Sequence, residues 1–209
     1  MIGYYNYTVI LTYASFVCAI IGIIAALTGN VHLAMILLMV SGFCDMIDGS
    51  VARMKKDRTP QEIAFGAHID SLSDILAFGV LPAIILYGLG LRGIVCYVAM
   101  AFFALAALIR LAHFDVQEMF EIKQDANARR THFTGLPVTN AAIILPGLMV
   151  VDIFLGIEYK YFYLVSMILV GIAFITPFKM KKLYFPALLI PTVIGVAIFV
   201  LLIIFGGVF

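Results

Sequence analysis

Seven long apolar runs, each bounded by polar residues, constrain this chain more than any other feature; they lie near residues 9–28, 31–52, 69–89, 92–112, 137–156, 161–177 and 187–207. A helix needs about 20 apolar residues to cross a bilayer core, and a spanning segment must satisfy its backbone hydrogen bonds internally. The runs approach that length and predict an all-α, polytopic membrane helix bundle of about seven transmembrane helices. Of the 209 residues, 64% are hydrophobic and 12% charged. An ordinary soluble domain carries about 25% charged residues, so a water-soluble globule is excluded. A formal net charge of +1 gives no bulk basic field to recruit nucleic acid.

The placement of charge orients the bundle. An odd number of spans puts the termini on opposite sides. With the N-terminus in the cytoplasm, that side holds Arg53, Lys55, Lys56, Arg58, Arg110, Lys123, Arg129, Arg130, Lys179, Lys181 and Lys182, and the other side holds Arg92 and Lys160. Eleven of thirteen basic residues on one side is the positive-inside pattern, so residues 53–68, 113–136 and 178–186 are expected in the cytoplasm. No basic region precedes the first run and no Ala-x-Ala site follows it, so the first span is expected to be kept. No repeat or linker divides the chain, which reads as a single integral membrane domain over 1–209. Cys18, Cys44 and Cys96 lie in apolar stretches at spacings unlike any zinc or redox pattern and read as small core residues.

Carboxylates inside these apolar segments carry the chemistry. The second span ends with Asp45, Asp48, Gly49, Ala52 and Arg53, and the third begins with Gly66, Asp70 and Asp74. Asp45 and Asp48 are three apart and Asp70 and Asp74 four apart, so on helices each pair shares a face, and consecutive spans can bring the pairs together. Four ionised carboxylates in one membrane pocket are destabilising alone, at about 2.5–3.5 kcal/mol each on insertion scales. A divalent cation reverses that sign. Hard oxygen ligands suit Mg²⁺ or Mn²⁺, which bridge readily to substrate phosphates. Gly49, Ala52 and Gly66 lie one turn from the aspartates and leave room for a ligand. Gly42 and Gly66 serve equally well for close helix packing. The spacing alone also admits a proton relay or a divalent-cation transporter.

The pattern Asp45-x-x-Asp48-Gly49-x-x-Ala52-Arg53, followed by Gly66-x-x-x-Asp70-x-x-x-Asp74, resembles the signature of the CDP-alcohol phosphatidyltransferases. The resemblance implies a site, facing the cytoplasm, for two Mg²⁺ or Mn²⁺ ions under the diphosphate of a CDP-linked lipid. Asp45, Asp48, Asp70 and Asp74 would be metal ligands and Asp74 also the general base, while Gly49, Ala52, Arg53 and Gly66 would bind the CDP-lipid. It implies a family core over 1–182 with an additional C-terminal transmembrane segment over 183–209, and a homodimer. Twelve residues separate Arg53 from Gly66, more than the family commonly has, which reads as a longer cytoplasmic loop.

Further segments resemble the phosphatidylserine synthase branch: Phe65 to Asp74, Phe78-Gly79-Val80-Leu81-Pro82-Ala83, Arg110-Leu111-Ala112-His113-Phe114 and Phe133-Thr134-Gly135-Leu136-Pro137. The chain departs from that branch at four places: the branch commonly has Asn where Ser15 stands, Arg in place of His113, Asn in place of Asp115 and Ser-Pro in place of Val138-Thr139. On this likeness CDP-diacylglycerol would transfer its phosphatidyl group to L-serine, with Arg110, Arg129 and Arg130 as candidates for the acceptor carboxylate. Arg129 and Arg130 serve equally as anchors for anionic headgroups. A sister enzyme using glycerol 3-phosphate or inositol phosphate remains the alternative, and a prokaryotic plasma membrane is the expected location. His32, His113 and His132 read as interfacial, and His68 points away from the aspartate face. Pro82, Pro146 and Pro191 are expected to kink their spans. Asp115, Glu118, Glu121 and Asp125 read as an acidic loop with a solvated face.

Overall fold

The computed structural model describes the backbone of residues 3–205 except 6, 56, 58, 125–131, 135, 156–158, 178 and 182–184; side chains are described over the same set except 50, 52, 53, 118–124, 132–134, 152–155, 159, 179–181, 185–191 and 205. Helix α1 (Ile10–Leu27) follows a 3-10 turn at Tyr7–Val9, and α2 (Val31–Met54) follows a tight turn. Helix α3 runs over Pro60–Gly88, α4 over Ile94–Gln124, α5 over Ala141–Leu155 after a 3-10 turn at Val138–Asn140, α6 over Tyr159–Ile175 and α7 over Phe185–Phe205. Four stretches are long and apolar enough to cross a membrane: Tyr7–Leu27, Val31–Gly49, Pro60–Gly88 and Ile94–Gln117. The apolar stretches Val138–Val151, Lys160–Ile175 and Thr192–Ile204 are shorter over the described residues. The chain is the all-α polytopic bundle that the hydropathy pattern predicts. Strands β1 (His132–Thr134) and β2 (Lys179–Lys181) pair antiparallel and tie the α4–α5 connection to the α6–α7 connection.

Two helices begin or end well outside their apolar runs. Thr59 caps α3 by accepting from the Glu62 backbone N–H, the Glu62 side chain accepts from the Thr59 N–H, and Pro60 occupies the first turn. This reciprocal cap, with Pro where its missing N–H costs nothing, starts the helix ahead of residue 69. Lys55 adds an ion pair to Glu62 at 2.9 Å. The interval from Arg53 to Gly66 is therefore not a long loop: α2 continues to Met54, and the chain re-enters helix at Pro60. Likewise α4 continues past residue 112 to Gln124. Asp115 thus stands on a helix, not in an acidic loop.

Helix α3 widens to a π turn at Ile75–Val80, where the Leu81 N–H reaches the Leu76 carbonyl. Pro82, just beyond, has no N–H to donate and its ring crowds the carbonyl one turn back. A π turn directly upstream relieves that crowding, and such turns recur beside functional sites. The fully buried Tyr163 hydroxyl of α6 donates to the Pro82 carbonyl at 2.9 Å and fixes the far side of this distortion.

Packing follows membrane rules, with small residues where backbones approach. A Cβ on Gly42 of α2 would lie 2.8 Å from the Ala142 Cβ of α5, and one on Gly79 would lie 3.2 Å from the Ala107 Cβ of α4. Gly42 is thus a packing position. Buried Met35 and Leu38 of α2, Phe78, Leu81 and Ile85 of α3, and Phe103 of α4 form the core. Phe103 meets Phe174 of α6 with ring centroids 5.5 Å apart. Exposed Ile24, Val98, Leu169 and Ile203 lie on the outside of the bundle, as a lipid-facing surface requires. At the end away from α3's N-terminus, the His32 Nε2 lies 2.7 Å from the Leu202 carbonyl and joins α2 to α7, a structural role for that histidine.

Candidate active site

The end of the bundle where α2 and α4 finish and α1, α3 and α5 begin holds the polar residues. Asp45 and Asp48 face inward from the last turns of α2, and Asp70 and Asp74 from the middle of α3, just ahead of the π turn. All four line one cavity of about 460 Å³, within the range of small-molecule sites. The Asp48 carboxyl faces that of Asp70, and the Asp45 carboxyl faces that of Asp74. Asp48 and Asp74 are buried, at 7% and 8% exposure, so their charges are not screened by solvent from outside the cavity.

Hydroxyl groups from neighbouring elements fix these carboxylates. The Thr12 Oγ1 of α1 donates to Asp48 Oδ2 at 3.2 Å. The Thr139 Oγ1, in the turn that opens α5, donates to Asp45 Oδ2 at 2.8 Å. Ser73 in turn donates to the Thr12 carbonyl at 3.3 Å and ties α3 to α1. The 3-10 turn before α1 closes one wall with Thr8 and Val9. Ahead of it, the Tyr4 ring packs edge-on to Phe65 at 5.4 Å.

The donor set fits a divalent cation. One carboxylate oxygen from each of Asp45, Asp70 and Asp74 lies within 4.8 Å of the others. Opposite oxygens around Mg²⁺ are about 4.2 Å apart, so a small closure brings the three into ligating range. Three carboxylates converging in a buried space, with Asp48 directly beside them, repel one another unless a cation or proton lies between. Arg110 of α4 supplies a positive charge in the lining of the same cavity. It is buried, its Nε donates to the Leu136 carbonyl at 3.3 Å, and its guanidinium lies 5.7 Å from the Phe114 ring centroid.

A membrane cavity lined by the complete spaced set of aspartates and glycines is the arrangement that the signature implies, and wider comparison agrees. The profile of the CDP-alcohol phosphatidyltransferases matches residues 5–206. The chain belongs to the CDP-alcohol phosphatidyltransferase family. Relatives include the CDP-diacylglycerol–serine O-phosphatidyltransferase of Saccharomyces cerevisiae, 35% identical over 106 residues, covering 50% of this chain and 37% of that protein. The enzyme of the same name from Bacillus subtilis is 25% identical over 140 residues, covering 65% and 70%. The archaetidylserine synthase of Methanothermobacter thermautotrophicus is 33% identical over 127 residues, covering 60% and 49%. The matches thus span less than half the length of the yeast and archaeal relatives.

Within this family member the signature residues fall as follows. Asp45, Asp48, Asp70 and Asp74 come together, and Gly49 and Gly66 line the same cavity. Ala52 and Arg53 lie in α2, but their side chains are outside the described residues, as are Arg129 and Arg130 altogether. Arg110 lines the cavity where the sequence suggested. His68 is exposed and takes no part in the lining, in keeping with its place off the aspartate face.

Three contributors escaped the sequence reading. Thr139 and Thr12 act through hydroxyls that no spacing rule marks, although Thr139 stands two residues after the Gly-Leu-Pro segment. Asp115, assigned to a solvated loop, is half-buried in the cavity wall and accepts from the Ser71 Oγ at 2.6 Å. Its signal was the departure from the phosphatidylserine synthase pattern at that position.

Proposed function

We propose that this phosphatidyltransferase moves the phosphatidyl group of CDP-diacylglycerol to the hydroxyl of L-serine, releasing CMP and forming phosphatidylserine. The observation that carries the reading is the meeting of four aspartates from α2 and α3 with Arg110 of α4 in one cavity, in a chain whose relatives bear the serine transferase name. Asp45, Asp48, Asp70 and Asp74 would hold Mg²⁺ or Mn²⁺, with two ions the expected number. When bound, such cations supply neutralisation of the diphosphate and of the charge that develops on departing CMP.

The remaining chemistry belongs to the chain's own side chains. Gly49 and Gly66 leave the cavity wall without side chains, so a nucleotide can lie against the helices. The serine hydroxyl oxygen attacks the lipid-side phosphorus; an oxygen–phosphorus bond forms, and the bond to CMP breaks with its electron pair on CMP. Asp74, buried at the base of the cavity, takes the hydroxyl proton, a role that contributes about 10²–10⁴-fold in rate. Arg110 offers a guanidinium to the serine carboxylate. Thr12 and Thr139 hold Asp48 and Asp45 in orientation, so little reorganisation is needed when substrate arrives. The basic bias of the loops at this end of the bundle favours a cavity open to the cytoplasm.

The test is CMP release by purified protein from CDP-diacylglycerol with Mg²⁺ or Mn²⁺, offering L-serine, glycerol 3-phosphate and inositol phosphate separately, beside Asp74→Asn. Release that needs serine and falls at least a hundredfold in the variant is expected. Release only with a phosphate-bearing acceptor would overturn the serine reading; metal flux without any demand for CDP-lipid would overturn the transferase reading.

A further inference from the structure

Asp115 is a cavity carboxylate that the proposed chemistry does not use. It lies on α4, five residues beyond Arg110, and both residues line the cavity. It is not one of the three carboxylates, Asp45, Asp70 and Asp74, whose oxygens lie within 4.8 Å of one another. Its Oδ1 accepts from Ser71 at 2.6 Å, so a residue adjacent to Asp70 in sequence fixes its direction. A carboxylate held in a cavity that must admit a diphosphate is unfavourable unless a positive charge meets it when the substrates are bound. An acceptor with its own phosphate would make that repulsion worse. An amino acid acceptor brings a cation, and a guanidinium and a carboxylate on one wall match the two charges of a zwitterion.

We propose that Asp115, positioned by Ser71, accepts the ammonium group of the acceptor and thereby selects an amino alcohol over phosphate-bearing alcohols. The inference rests on the reading of this cavity as a serine phosphatidyltransferase site and adds the residue that decides the acceptor class. It assigns Arg110 and Asp115 to opposite ends of one small molecule, the first to its carboxylate and the second to its amine.

The experiment compares L-serine with 3-hydroxypropionate, which is serine without its amino group, as acceptors for CMP release by the purified full chain with CDP-diacylglycerol and Mn²⁺. Loss of a hydrogen bond to a charged partner weakens binding by about tenfold or more. Wild-type protein is therefore expected to show a KM at least tenfold higher for 3-hydroxypropionate than for serine. Asp115→Ala should raise the serine KM by a similar factor, leave the KM for CDP-diacylglycerol near its starting value, and change the 3-hydroxypropionate KM by less than twofold or threefold. Asp115→Asn keeps an accepting oxygen and should lose less; Ser71→Ala should lower the preference for serine without abolishing it.

A purely structural role would move both acceptors together, and that equal loss would overturn the proposal. Should the Asp115 variants fail to fold, the wild-type comparison still decides, because equal use of the two acceptors would refute an ammonium contact. Wild-type protein that releases CMP with glycerol 3-phosphate and not with serine would refute the serine reading itself, a different result from an active serine enzyme indifferent to Asp115.

Discussion

Replacing Gly42 by alanine tests whether the spacing of α2 and α5 sets the geometry of the cavity. A methyl group there would lie 2.8 Å from the Ala142 Cβ, where ordinary contact begins at 3.4 Å, so the helices must separate by about 0.6 Å. One turn further along α2 stands Asp45, and one turn back from Ala142 stands Thr139. Their hydrogen bond, 2.8 Å long, would open to about 3.4 Å, beyond the range of an effective O–H···O bond. Overpacking costs about 1–3 kcal/mol and a lost hydrogen bond to a carboxylate about 1.5–3 kcal/mol. The better helix propensity of alanine returns about 1 kcal/mol. The net loss of about 1.5–5 kcal/mol is shared between stability and the orientation of Asp45, and a fall in CMP release of about tenfold or more is expected. Thermal unfolding in detergent and CMP release measured on the same preparation separate the two shares. Combining Gly42→Ala with Ala142→Gly moves the methyl group from one helix to the other and should restore both quantities. Wild-type activity in the single variant, or no rescue in the double variant, would show that this contact does not control the site.

Three further outcomes are expected. Asp45→Asn and Asp70→Asn should each weaken Mn²⁺ binding by at least tenfold in a spin-resonance titration, because each removes a charged oxygen from the converging set; unchanged affinity would place the ion elsewhere. Tyr163→Phe removes the hydroxyl that reaches Pro82 and should cost about 1–3 kcal/mol, read as a lower unfolding temperature; an unaltered temperature would mean that the π turn needs no such support. Thr59→Ala should cost about 1 kcal/mol at the start of α3 and speed amide exchange over residues 61–64, and unchanged exchange there would deny the cap its role.

The sequence made the membrane bundle legible because burial in lipid requires long apolar runs, and such runs survive in a one-dimensional reading. The aspartate cluster was legible for a related reason: a charge in an apolar run is conspicuous, and helical spacing determines which charges share a face. Helix boundaries at the polar end were not legible by hydropathy. There α3 begins with Pro60, Gln61 and Glu62, and the last turns of α4 carry Asp115, Glu118, Glu121 and Lys123, both of which hydropathy assigns to loops. Local capping chemistry was the better guide at one of these ends, since Thr59-Pro60-Gln61-Glu62 contains the cap, the first-turn proline and the reciprocal acid.

Asp115 illustrates how that error passed from fold to function. Ending α4 at residue 112 put an acidic residue in solvent and left it without a role. Continuing the helix brings the same residue into the lining of the cavity that Arg110 also lines, where the Ser71 Oγ of α3 donates to it at 2.6 Å. The boundary therefore decides the chemistry: with Arg110 alone the wall attracts any anion, a phosphate included, and with Asp115 beside it the wall favours a molecule that carries both charges. Acceptor choice is thus proposed to depend on one helical turn of α4, which hydropathy does not reveal because His113 and Asp115 interrupt the apolar run there.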